Sequence, residues 1–133
     1  MSSQPVPGPV ASVVIPAHNE AAVIGRCLDA LARGATPGEF QVVVVSNGST
    51  DRTAAIARAH PLGVHVVETD VPSKVVALNL GDAAVEVFPR AYLDADVEMD
   101  AASLRAAIDV LDDRVLCSAP PMELDLTGVP WFV

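Results

Sequence analysis

Residues 12–45 read SVVIPAHNEAAVIGRCLDALARGATPGEFQVVVV, and the way this stretch divides decides the fold. Ser12–Ala17 is apolar and β-branched, a strand that Pro16 brings to its end. From about Glu20 to Ala32 the spacing changes: Val23, Ile24, Cys27, Leu28 and Leu31 recur on one face of a helix. Gly34 stands where a helix C-terminus favours a left-handed residue. Phe40–Val45 is then apolar on both faces, as a strand in the middle of a parallel sheet must be. Strand, crossover helix and strand make one unit of a right-handed parallel α/β sheet.

The alternation continues downstream. Asp51 heads a short helix to about Ala59, which Pro61 and Gly63 end. Val64–Glu68 is a third strand, Pro72 opens a helix to about Val87 that Pro89 closes, and Ala91–Leu93 is a fourth strand. Asp100 caps a helix in which Leu104, Ile108 and Leu111 share a face, and Val115–Ser118 is a short fifth strand. Upstream, residues 1–11 carry Pro5, Pro7 and Pro9 and no positive side chain, which predicts a flexible lead rather than a signal peptide. The expected fold class is α/β, a mostly parallel sheet with helices on both faces, in one domain over residues 12–133.

Composition agrees. The chain has 133 residues, 51% of them hydrophobic but only 4% aromatic, so Val, Ala, Leu and Ile must build the core. A net charge of −9 repels a polyanion and excludes a basic nucleic-acid-binding face. No apolar run reaches the roughly 18 residues of a membrane span. Cys27 and Cys117 are far apart, as buried thiols of a reducing cytoplasm would be, and His18, His60 and His65 lack zinc spacing. There is no glycine-rich dinucleotide fingerprint, no phosphate loop and no serine-hydrolase elbow. A phosphatase-like or receiver-like domain would need an aspartate cluster after the first strand, where Pro16 and His18 stand.

In parallel sheets ligands bind beyond the carboxyl ends of the strands. Four polar sets fall there: 16–20, 46–51, 68–70 and 94–96. Asp94 and Asp96, two residues apart, point the same way and suit one Mg2+ or Mn2+ when substrate phosphates complete the coordination. Read blandly, they are solvated loop acids. Asn19 and Glu20 suit either a nucleotide's polar edge or plain helix capping. Gly48, Ser49 and Asp51 are explained by a turn and a cap, which leaves Ser46 and Asn47 as the informative pair. Lys74, the only lysine, stands where it can reach a phosphate or a base, although a surface lysine needs no such reason. Asn79 and Gly81 disfavour the helix they sit in, which points to close packing or to a pocket.

Taken in order, VVIPAHNE, VVVVSNGSTDRTAAIA, KVVALNLG and YLDAD resemble the N-terminal, nucleotide-sugar-binding half of a family 2 glycosyltransferase of the GT-A fold, from about Ser12 to Leu111. The resemblance implies sugar transfer from a nucleotide-diphosphate donor to an acceptor hydroxyl, inverting and assisted by Mg2+ or Mn2+. It places Pro16, Ala17, Asn19 and Glu20 at the base and ribose, with Ser46, Asn47 and Gly48 facing the base. Lys74 would lie near the nucleotide, Asp94 by the ribose or the metal-bound diphosphate, and Asp96 on the metal.

Two departures matter. Ser46 and Asn47 replace a usual Asp-Asp, which removes the ground for expecting uracil. None of Glu98, Asp100, Glu123 and Asp125 matches the family's general base, so no catalytic residue is assigned and a domain truncated on its acceptor side is expected. The acceptor would be a sugar, a lipid-linked sugar or a small molecule, met in the cytoplasm or at the inner face of its membrane. The apolar end, residues 128–133 with Trp131 and Phe132, suits folding back on the sheet or homo-oligomer contacts. A non-catalytic nucleotide-binding or assembly module of the same fold is the alternative.

Overall fold

The computed structural model describes residues 8–111. Within them the chain runs β1 (Ala11–Ala17), α1 (Ile24–Ala32), β2 (Phe40–Asn47), α2 (Thr53–Ala59), β3 (His65–Thr69), α3 (Lys74–Ala84), β4 (Arg90–Tyr92) and α4 (Ala101–Asp109). The strands form one all-parallel sheet in the order β3-β2-β1-β4. Val13, Ile15 and Ala17 of β1 face one way with Val42 and Val44 of β2, and meet Ile24, Leu28, Leu31, Ala57 and Leu104 from α1, α2 and α4. Val14, Val43 and Val45 face the other way, where α3 covers them with Ala77. Helices therefore lie on both faces, as expected. The handedness of the crossovers requires it: α1 and α2 carry the chain outward from β1 to β3, and α3 carries it back across the sheet to β4.

Gly81 lets α3 sit directly on β1. A Cβ there would come within 2.3 Å of Val14 Cγ1, and Val14 is a fully buried β-branched side chain with no rotamer to yield. Gly81→Ala is therefore expected to lower unfolding free energy by about 1–3 kcal/mol in urea titration, and an unchanged midpoint would contradict this packing. Asn79, in contrast, is exposed.

At the other end of the domain Arg105 of α4 clasps the α1–β2 connection. Its guanidinium donates to both carboxylate oxygens of Glu39 and, at 2.6 Å, to the Gly34 carbonyl. These bonds hold the Glu39 carboxyl down at about 2. The stabilisation is complete above the ordinary carboxylate range and is lost as pH falls toward that value.

Several boundaries differ from expectation. α1 begins at Ile24 rather than Glu20, because residues 21–23 form a turn, and α2 begins at Thr53 with Arg52 rather than Asp51 in the N-cap place. α3 runs from Lys74, capped by Ser73, and stops at Ala84. β1 opens at Ala11, and β2 extends through Ser46 and Asn47, which pair with Glu68 and Thr69. β3 and β4 each shift by one residue, while Asp100 caps α4 as read. The fifth strand at 115–118, Cys117, Glu123, Asp125 and the apolar end at 128–133 lie outside the described residues. No described helix is long and apolar enough to cross a membrane.

Candidate functional site

The strand order reverses at β1: the chain leaves β1 toward β2 and later returns to its other side as β4. Loops beyond the carboxyl ends on either side of such a point leave a crevice. A cleft of about 250 Å3 lies there, lined by Pro16 near the end of β1, His18 and Glu20 after it, Asn47 at the end of β2, Lys74 at the start of α3, and Asp94, Ala95 and Asp96 after β4.

Six of the residues singled out from sequence meet in it: Pro16, Glu20, Asn47, Lys74, Asp94 and Asp96. The two aspartates lie past the end of β4, in a turn that the Val97 N–H closes on the Asp94 carbonyl at 3.0 Å. Leu93 and Ala95 are buried while Asp94 and Asp96 are exposed, and both aspartates line the same cleft. Lys74 Nζ donates to Asp94 Oδ1 at 2.7 Å. Glu20 is half-buried, and its carboxyl is raised above the usual range, first by burial and then by the negative charges of Asp96, Asp51 and Asp94, with His18 opposing them. A cation would relieve that crowding.

Ala17, Asn19, Ser46 and Gly48 do not line the cleft; they hold its walls. Ala17 is buried and its carbonyl accepts from Ser49 Oγ at 3.4 Å. Ser46 is buried in the sheet beside Ala17. Gly48 has φ +65° and packs against Pro72, where a Cβ would fall 2.8 Å from the proline Cβ. Asn19, at φ 50°, neither caps α1 nor turns into the cleft; its Oδ1 accepts from the Thr50 N–H at 2.8 Å.

Asn47 is the least satisfied of the group. It is only 4% exposed, and its Oδ1 has no hydrogen-bond partner. A buried carbonyl oxygen without a donor is costly and invites one. His18, exposed just after β1, also lines the cleft: its Nδ1 donates to the Asn47 carbonyl at 2.6 Å and so carries the ring proton there. Its only sequence signal was its place between Ala17 and Asn19.

A larger cavity of about 490 Å3 opens at the opposite ends of the strands, between the α1–β2 and α2–β3 connections. Its titratable groups serve each other. His60 Nε2 bonds Asp29 Oδ1 at 2.7 Å while His60 Nδ1 accepts from Leu62 N–H at 3.0 Å, and Glu39 belongs to Arg105. Of the two buried side-chain atoms without a partner among the described residues, Asn47 Oδ1 and Arg90 Nε, only Asn47 belongs to a residue of the smaller cleft.

Among the described residues no group of three or more His, Cys, Asp or Glu side chains is assembled to hold a metal. Two carboxylates beside a crowded third still suit Mg2+ or Mn2+, which take oxygen ligands and keep several places for water and phosphate. Asp94 and Asp96 fit such an ion.

Comparison with known proteins bears on the same residues. The family model described as Glycosyl transferase family 2 matches residues 12–125. Validoxylamine A glucosyltransferase of Streptomyces hygroscopicus subsp. limoneus is 37% identical over 103 residues, covering 70% of this chain and 23% of that protein. Among solved structures, the mannosyltransferase PcManGT of Pyrobaculum calidifontis, in complex with GDP-Man and Mn2+, superposes with TM-score 0.68 at 29% identity, over 84% of this chain and 35% of its own. Glucosyl-3-phosphoglycerate synthase of Mycobacterium tuberculosis, in complex with Mn2+, UDP and glucosyl-3-phosphoglycerate, gives TM-score 0.64 at 28% identity, over 77% of this chain and 39% of its own. The chain thus spans about a quarter of that curated relative and somewhat over a third of these solved ones.

Proposed function

Because the chain belongs to glycosyl transferase family 2 and has the GT-A architecture, we propose that its cleft receives the nucleoside diphosphate of a sugar donor. The observation that carries this reading is the convergence of three strand ends on one crevice that contains a buried, unpartnered Asn47 oxygen and two aspartates. The solved relatives, crystallised with UDP and Mn2+ or with GDP-Man and Mn2+, support the ligand class.

Each side chain then has a role. Asn47 Oδ1 accepts from an N–H of the base, and Pro16 and Glu20 flank the nucleoside. Ala17, Asn19, Ser46 and Gly48 shape the walls that receive it. Lys74, the only Lys or Arg among the described residues that line the cleft, neutralises phosphate oxygens. Asp94 and Asp96 hold Mg2+ or Mn2+. When bound, that ion supplies charge neutralisation for the departing diphosphate. Transfer proceeds to an acceptor hydroxyl, with inversion, and the acceptor is a sugar, a lipid-linked sugar or a small molecule. The carboxylate that deprotonates it is not assigned among these residues, so the cleft is the donor and leaving-group half of the reaction.

A thermal-shift panel tests the reading: UDP-, GDP- and dTDP-sugars, each with Mn2+ or with EDTA. One donor is expected to stabilise the chain in Mn2+, by about 2.7 kcal/mol at a hundredfold excess over its Kd, and far less in EDTA. No stabilisation by any donor would refute it.

A further inference from the structure

The loop that carries His18 and Glu20 into the cleft is held from outside its own helix. α1 has no side-chain cap at its start. The Glu20 N–H donates instead to Thr53 Oγ1 at 2.9 Å, and the Ala21 N–H to Asp51 Oδ2 at 3.2 Å. Asp51 Oδ1 in turn accepts from the Thr53 N–H at 3.0 Å and from the Thr53 hydroxyl. That hydroxyl is fully committed, donating to Asp51 and accepting from Glu20, and Thr53 is wholly buried. The Asp51 carboxyl lies below the usual range, chiefly through its bond with Thr53. Neither residue lines the cleft.

What this relay holds is a corner. The backbone turns through Asn19 at φ 50°, between His18 and Glu20; Ser49 Oγ and the Thr50 N–H hold Asn19 itself at 3.1 and 2.8 Å, and the relay holds the two amides that follow it. A small rotation at that corner moves both cleft side chains relative to Asp94 and Asp96. We propose that Asp51 and Thr53 are positioning residues, which set the Glu20 and His18 wall of the cleft from the neighbouring loop without touching the ligand. The binding half of this claim rests on the donor reading above; the geometric half does not.

The test compares Thr53→Val, which removes only the hydroxyl, with Thr53→Ser, which keeps it, and with Gly81→Ala as a control destabilised at a residue that does not line the cleft. Amide hydrogen exchange at Glu20 and Ala21 is read in the free protein, and affinity for UDP and GDP in Mn2+ by calorimetry. Thr53→Val should speed exchange at both amides and weaken nucleotide binding about tenfold, as loss of a supporting hydrogen bond does around other binding groups. Thr53→Ser should restore both, and Gly81→Ala should leave affinity within about twofold of wild type. If Thr53→Val does not fold, Asp51→Asn, which keeps one acceptor oxygen in place of two, gives the same readouts. Wild-type affinity in the Thr53 variant, or an equal loss in Gly81→Ala, overturns the proposal. If the wild-type chain binds neither nucleotide and no dTDP-sugar stabilises it, the donor reading fails, and exchange alone decides: unchanged protection of Glu20 in Thr53→Val overturns positioning.

Discussion

Asp96→Ala is expected to weaken nucleoside diphosphate binding in Mn2+ by about a hundredfold, while binding in EDTA, already weak, changes little. The reasoning is a difference between two conditions. A divalent ion shared between protein and diphosphate contributes several kcal/mol of charge neutralisation, and each 1.4 kcal/mol is about a factor of ten. With Asp96 gone, only Asp94 remains of the pair, and Asp94 is already engaged by Lys74. The ratio of affinities with and without Mn2+ should therefore fall toward one. Calorimetry reads that ratio directly, and a ratio preserved in Asp96→Ala would show that the carboxylate pair does not hold the ion. Thermal stability of the free protein should not fall, since Asp96 is exposed and its charge adds to the crowding at Glu20.

Asn47→Leu separates folding from binding by sign. In the free protein the buried Oδ1 is unpaired, so replacing the amide with an apolar group of similar size removes a cost of about 1 kcal/mol or more. Urea titration should show a variant at least as stable as wild type. Nucleotide binding should move the other way, losing one hydrogen bond to the base and weakening about tenfold. Substitutions that merely disturb a core lower both quantities together. A destabilised Asn47→Leu with unchanged affinity would assign Asn47 to the fold alone.

Much of the architecture could be read because burial leaves a local trace. The two-residue alternation of β1, with Val13, Ile15 and Ala17 against Val14, appears as a continuous apolar run because helices cover both faces. Asp94 and Asp96, singled out by their spacing of two, do line one cleft, although a turn rather than a strand carries them. Helix starts were less legible for a physical reason. The first turn leading to α1 is capped by Thr53 and Asp51, some thirty residues away, and no local pattern encodes that bond. Ser46 and Asn47 join β2 by pairing with β3, which apolar periodicity does not see. His18 escaped for a similar reason: its bond to the Asn47 carbonyl depends on the β1–β2 register, Ala17 beside Ser46. Gly81 was flagged by propensity, but only Val14 explains it.

Which end of the sheet receives the nucleotide can be measured without assuming any residue's role. Mn2+ is paramagnetic and broadens nearby amide resonances, so a 15N-labelled chain titrated with Mn2+ and a nucleoside diphosphate reports its own binding site. Broadening should centre on Glu20, Asp94, Ala95 and Asp96 and fade toward Thr36, Gly38 and Leu62 at the far cavity. Broadening centred on those far residues, or spread evenly over the acidic surface, would contradict the account.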